Sequence, residues 1–206
     1  EFSSSLCTDP GCGQWFPDGG RASQTICNDR RQADAAARAG RGAVRFPAGT
    51  YLVDSGVLTI GSNTLWVAEE GAVVIIKLKN GAAANSSIIN VIGGAVNVRI
   101  SHLTIEGNRT NQTTSNNRGE QINAGASTVE VDSCLFHNIR GHAVKAKTGP
   151  TGSACSNIRI HHNVVYNCGI DTQYVLQFGY DVLRSSICDN YIYSGGPNCQ
   201  AIGISN

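Results

Sequence analysis

Four short segments in the second half of the chain carry polar side chains at matching places: GEQINAG (119–125), GHAVKAK (141–147), QYVLQFG (173–179) and QAIGIS (200–205). Aligned on Ile122, Val144, Leu176 and Ile202, they put Glu120, His142, Tyr174 and Gln200 in one column. The next column holds Asn123, Lys145, Gln177 and Gly203, and two residues further on come Gly125, Lys147, Gly179 and Ser205. A carboxylate, an imidazole, a phenol and a lysine held together would suit acid–base chemistry on an anion: one group takes a proton, another returns it, and the cation holds the charge. The candidate catalytic residues are therefore His142, Lys145, Tyr174 and Glu120, with Asn123, Gln177 and Lys147 as candidate substrate contacts. The plainer reading makes His142 and Tyr174 packing residues at a corner and Lys145 a solvated surface lysine.

These columns need elements that repeat. Four segments alternate with them and align without gaps over their centres: VRISHLTIEGN (98–108), VEVDSCLFHNI (129–139), IRIHHNVVYNC (158–168) and SSICDNYIYSG (185–195). Ile100, Val131, Ile160 and Ile187 form one column; Ile105, Phe136, Val165 and Ile192 form another. Between them lies Leu103, Cys134, Asn163 and Asn190, which reads as an inward ladder at a bend or as ordinary turn formers. Earlier strands are expected at 43–46, 50–53, 57–60, 64–67, 73–78, 87–91 and 96–100. Strands that recur about every 22–32 residues with no crossover helix describe a solenoid, and no Asn-Gly or Asp-Gly hairpin supports a sandwich. If successive strands sit about 5 Å apart, one side chain per coil lines each column. Period-2 alternation then points 122, 124, 144, 146, 176, 178, 202 and 204 inward and their neighbours outward.

The 206 residues have room for one domain. Net charge is +1 and no Lys/Arg run exceeds a pair, which argues against a nucleic-acid partner; no apolar run reaches the ~20 residues of a membrane span. No charged segment precedes an apolar one at the N-terminus, as expected if a signal peptide has been removed. Eight cysteines, Cys7, Cys12, Cys27, Cys134, Cys155, Cys168, Cys188 and Cys199, lack the spacing of a zinc site and suggest disulfides in an exported, extracellular protein. Cys168 and Cys199 follow corresponding strands and could join neighbouring coils. Sequons at Asn85, Asn108 and Asn111 fit secretion as glycosylation sites. Segment 3–28 reads as a disulfide-tied cap, followed by a short helix from Arg30 to Ala39 with Asn28 or Asp29 as N-cap and Gly40 as its stop.

The helix and the sequence GRGAVRFPAGTYLV (40–53) resemble the first coil of the pectate-lyase-like right-handed parallel β-helix superfamily, and SNIRIHHNVVYN (156–167) carries the same rhythm to the end. The resemblance implies an all-β, single-stranded right-handed parallel β-helix: residues 1–40 as the cap with its helix, and 41–206 as coils. The last core strand stops at Ser205-Asn206, so either the chain is expected to continue or another chain covers that coil. The resemblance also implies action on a polysaccharide in a groove along stacked strands. With Lys145 as the counter-charge, β-elimination of a uronate polymer is the first expectation. Epimerisation, hydrolysis by a glycoside hydrolase and a non-catalytic glycan-binding or adhesin-like module stay open. Hydrolysis needs two carboxylates about 5–9.5 Å apart; the outward ladders contain none, and Asp132, Asp171, Asp181 and Asp189 lie on other faces or loops. The Asp-Asp and Gly-His-Gly signatures of related polygalacturonases are absent, Gly141-His142-Ala143 keeping part of the second. Asp132 and His161 could pair across coils, as a site or as a surface ion pair. No D-x-D-x-D-G loop occurs, though a uronate lyase leaves calcium open as a cofactor. His161 and His162 point to opposite faces of a strand, so no transition-metal site is expected.

Overall fold

The β-branched pairs bounded by Gly, Asn and Ser form short strands, and the strands wind into a right-handed parallel β-helix. The computed structural model describes residues 42–54, 58–83, 87–112, 118–123, 125–147, 153–170, 174–193 and 199–204, with Glu120 described by its backbone. The expected cap and helix, Cys7, Cys12, Cys27, Asn85 and Ala124 lie outside them. Each coil contributes one strand to each of three parallel sheets, six coils deep. The first coil is Gly42–Phe46, Gly49–Val53 and Leu58–Ile60, and the second Thr64–Ala68, Val74–Leu78 and Ser87–Val91. The third is Val96–Ser101, Thr104–Glu106 and Arg118–Ile122, and the fourth Ser127–Asp132, Leu135–His137 and Val144–Ala146. The fifth is Cys155–His161, Val164–Tyr166 and Tyr174–Phe178. In the sixth, Val182–Leu183 and Ser186–Cys188 share one place, followed by Tyr191–Tyr193 and Gln200–Ile204.

The apolar columns expected from the repeats are the core. Trp66, Ile100, Val131, Ile160 and Ile187 stack in the first sheet, and Ile76, Ile105, Phe136, Val165 and Ile192 in the second. Ile105, Val131, Phe136, Ile160 and Val165 are fully buried, each worth about 1.5–3 kcal/mol of apolar transfer. At the first coil Phe46 packs edge-on against both Tyr51 and Trp66. Ile202 and Ile204 keep register with Leu176 and Phe178, yet they are 43% and 70% exposed because no described strand stacks on the sixth coil.

One-residue bends turn the chain from the first sheet into the second. They fall at His102, Ser133, His162 and Asp189, all with φ between 52° and 56°. The residue after each bend points in. Asn163 there is buried: its Oδ1 accepts from Cys134 N (3.0 Å), and its Nδ2 donates to Val131 O and Asn190 Oδ1 (both 2.9 Å). The inward ladder is therefore the correct reading of Asn163 and Asn190.

Three expectations change. In the third sheet Val144 lies opposite Glu120, not Ile122, so the first of the four aligned segments is displaced by two residues. A two-residue slip keeps every side chain on its own face, and hydrophobic alternation cannot detect it. The backbone fixes the register: Gly119 N donates to His142 O at 2.9 Å, and a Cβ on Gly119 would come within 2.5 Å of Ala143 O. No disulfide joins the described cysteines. Cys134, Cys155 and Cys168 are buried thiols that donate to carbonyls at the bends, for instance Cys155 to Asn123 O at 3.2 Å. Burial pushes Cys168 up to about 12 and raises Cys155, so they behave as small apolar residues with weak donors. Asn108 is no glycosylation site in the folded chain: it is buried, its Nδ2 donating to Leu78 O (2.9 Å) and Asn80 Oδ1 (2.8 Å). Asn111 is exposed.

Asn163→Ala removes both partners of buried backbone groups at once. A loss of about 3 kcal/mol in urea unfolding is expected.

Candidate active site

The outward face of the third sheet is lined by Thr59, Asn90, Gln121, Lys145, Gln177 and Gly203, one per coil. Amides orient one another along it. Arg118 Nη1 donates to Gln121 Oε1 (3.0 Å), Gln121 Nε2 to Asn123 Oδ1 (2.6 Å), and Asn123 Nδ2 to Asn90 Oδ1 and Val91 O (both 2.7 Å). Beside this chain lies His142, 5% exposed. Its Nδ1 meets Tyr174 O at 2.7 Å, and a carbonyl can only accept, so Nδ1 carries the hydrogen and Nε2 is left as an acceptor. Nε2 stands 3.5 Å from Lys145 Nζ.

The electrostatics follow from this packing. Burial, then the Lys145 charge, push His142 down to about 4; the Tyr174 carbonyl opposes them weakly and Arg118 adds to them. His142 is neutral at neutral pH. Lys145 is lowered too, by burial first and then by Arg118 and Lys147. Three cations and a neutral imidazole thus share an amide-lined face.

The sequence columns map onto this face unevenly. His142, Lys145, Gln177 and Lys147 do come together. Asn123 belongs beside Lys147, which follows Ala146 in register with Ile122, and Gln121 takes the place expected for Asn123 beside Lys145. Glu120 falls between Ile89 and Val144 in register, not beside His142. Arg118 and Gln121 were missed because of the two-residue slip. Tyr174 reaches the site through its carbonyl, and its ring lies over Gly203, where a Cβ would come within 2.2 Å of it. A cationic face with no carboxylate among its described side chains does not fit calcium. No group of three His, Cys, Asp or Glu residues that could hold a metal forms among the described residues.

Two other faces carry ionisable groups. On the first sheet Asp132 and His161 are register neighbours but do not bond to each other. Asp132 takes Arg99 Nε and Nη2 (2.8 and 3.0 Å) and Ser101 Oγ (2.8 Å), while His161 Nε2 meets Glu130 Oε1 at 2.8 Å. Burial alone would raise Asp132, but the bonds from Arg99 and Ser101 outweigh it and hold its carboxyl low. On the second sheet Glu106 meets His137 Nδ1 at 2.8 Å, and His137, Tyr166 and Tyr193 stack at 5.0 and 5.3 Å.

The class these features define is the right-handed parallel β-helix with a polar, cationic face. No protein-family model matches the chain, and no curated protein matches it. Among solved structures it is similar to a candidate glycosyl hydrolase from Parabacteroides merdae, with a TM-score of 0.67 and 16% identity over 93% of this chain and 90% of that one. It is also similar to the A-module of the mannuronan C-5 epimerase AlgE6 of Azotobacter vinelandii, with a TM-score of 0.53 and 20% identity over 86% of this chain. The chain spans 58% of that module. At these identities the likeness establishes the fold.

The His142 shift has a signed consequence. Its folded value of about 4 lies below the ordinary value of about 6.5, so the unfolded chain takes up the proton first. The stability tied to neutral His142 is complete above about pH 6.5 and is lost as pH falls towards 4. Between pH 7 and 4.5 the parent chain should lose about 2–3 kcal/mol more than His142→Gln, read from urea unfolding at both pH values. Equal losses would contradict the burial of a neutral imidazole.

Proposed function

We propose that the chain is an extracellular enzyme that removes the C5 proton of a uronate in an acidic polysaccharide, with β-elimination as the outcome. The observation that carries this is the Lys145–His142 pair at 3.5 Å between Arg118 and Lys147 on an amide-lined face. A uronate C5–H is acidified when its carboxylate is neutralised, because the charge that develops is shared with the carboxylate oxygens. Lys147 and Arg118 supply that positive potential. Lys145, whose charged form is disfavoured, takes the C5 proton as an amine, and neutral His142 accepts a hydrogen bond from it through Nε2 and fixes its position. The electron pair forms the C4–C5 double bond as the C4–O bond breaks. The ammonium of Lys145 then gives its proton to the departing oxygen. Tyr174 serves by holding the tautomer of His142, and Gln121 and Asn123 present amides to sugar hydroxyls, while Gln177, placed among the contacts by its column, is buried.

Epimerisation is the second reading, favoured by the likeness to an enzyme that epimerises mannuronan at C-5. It shares the deprotonation and differs only in returning the proton to the opposite face of C5. The structural likeness to a candidate glycosyl hydrolase keeps hydrolysis in view, but a hydrolase needs two suitably spaced carboxylates and this face describes none.

The test is incubation with a panel of polyuronates, followed by ultraviolet absorbance of unsaturated ends and by NMR in heavy water. New absorbance indicates elimination, and deuterium at C5 without absorbance indicates epimerisation. Lys145→Met should abolish either signal, and His142→Gln should lower kcat by about 10²-fold or more. Lys147→Ala should act chiefly on KM. If no polyuronate exchanges its C5 proton, or if Lys145→Met keeps full turnover, the reading is wrong.

A further inference from the structure

A groove of about 390 Å3 runs across the outward face of the first sheet, away from the site above. It is lined by a column of four residues in successive coils, Asn63, Asn97, Thr128 and Asn157, and by a second outward column, Arg99, Glu130 and Arg159. All four residues of the first column have a left-handed backbone, with φ of 56°, 57°, 53° and 54°. Left-handed residues in one column bend each strand at the same place and make the face concave. Asn adopts that conformation readily, but a β-branched residue does so only under strain. Thr128 is therefore the anomaly: the fold requires the bend and two of its neighbours meet it with Asn, yet the middle of the groove holds Thr. Strain of this kind persists where a particular side chain is wanted at the surface.

The charged column shows what the groove would accept. Arg99 pairs with Asp132 (2.8 Å) and Glu130 (3.4 Å), and Arg159 with Glu130 (3.6 Å). With buried Asp132 beside the groove neutralising Arg99, two cations and two carboxylates balance, so the groove offers little net charge to an anionic sugar, unlike the third sheet. It offers hydroxyl, amide, guanidinium and carboxylate groups, alternately donating and accepting, on rungs about 4.8 Å apart. Sugar hydroxyls both donate and accept, and a pyranose chain extended along the coil axis would place successive rings over successive rungs.

We propose that this groove binds an uncharged polysaccharide segment, as a second glycan site separate from the third sheet. The Thr128 hydroxyl and the Arg159–Glu130 pair make the central contacts. This inference does not depend on the proposed reaction, and it stands or falls apart from it.

The test is calorimetric titration of the whole chain with neutral xylo-, gluco- and manno-oligosaccharides, alongside thermal melts. Thr128→Gly should raise Tm by about 2–4 °C, because strain is relieved, and weaken binding at least tenfold because the hydroxyl is lost. Thr128→Asn should raise Tm similarly and also weaken binding at least tenfold, because an amide does not replace the hydroxyl the groove keeps at the cost of strain. Arg159→Ala should weaken binding at least tenfold, while Lys145→Met should leave neutral-glycan affinity unchanged. The inference is overturned if no neutral oligosaccharide binds, if Lys145→Met removes the binding, or if Thr128→Gly either lowers Tm or leaves affinity intact.

Discussion

In a parallel stack held in register, the nearest neighbour of each side chain is its counterpart one coil away, about 4.8 Å distant. Every column must therefore tolerate itself. Ile on Val on Ile does so by packing, as in the first sheet at Ile100, Val131 and Ile160. Amide on amide does so by hydrogen bonding, as Asn163 on Asn190 inside and Asn123 on Asn90 outside. Flat rings do so by stacking, as His137 on Tyr166 on Tyr193. The rest of the architecture follows from which residue types satisfy this rule.

Like charges do not satisfy it, and the exceptions mark the face proposed as the site. On the first sheet the rule is met by alternating sign, Arg99 over Glu130 over Arg159. On the third sheet Arg118 and Lys147 share a face with Lys145, and their charges, after its burial, lower it. A face that holds cations together at a cost in stability is ready to bind an anion, since the anion relieves the repulsion. The neutral His142 beside Lys145 belongs to the same balance: a protonated imidazole there would add a fourth cation to a desolvated place.

The fold was legible because the rule of self-tolerance leaves a periodic trace. Ile105, Phe136, Val165 and Ile192 fall in one column of the sequence repeat, and their strands pair in that register. The face of the site was legible for the same reason, since His142, Lys145 and Gln177 lie where alternation puts them. The composition of the site was not fully legible. A shift of two residues changes no side chain's direction, so alternation alone placed Glu120 where Arg118 belongs, and only the close packing of Gly119 under Ala143 decides between them. Cysteine number suggested covalent staples, but Cys134 stacks between Leu103 and Asn163 in an inward column, where a small, weakly donating side chain meets the same requirement as its neighbours. Asn108 looked like an acceptor for a glycan because a sequon carries no information about burial. The pairings of Arg99 with Asp132 and Glu106 with His137 were hidden because outward ion pairs leave no periodic trace in a sequence.

The central claim is that the third sheet keeps Lys145 electrostatically poised for an acidic sugar. The most direct measurement is the titration of the Lys145 amine, followed by NMR of nitrogen-labelled lysine, with and without a short uronate oligomer. The account predicts a value below that of an ordinary lysine in the protein alone, and one that stays below it with the oligomer bound, because Arg118 and Lys147 take the carboxylate and Lys145 must meet C5 as an amine. A Lys145 that titrates as an ordinary surface lysine, alone or with the oligomer bound, would contradict it.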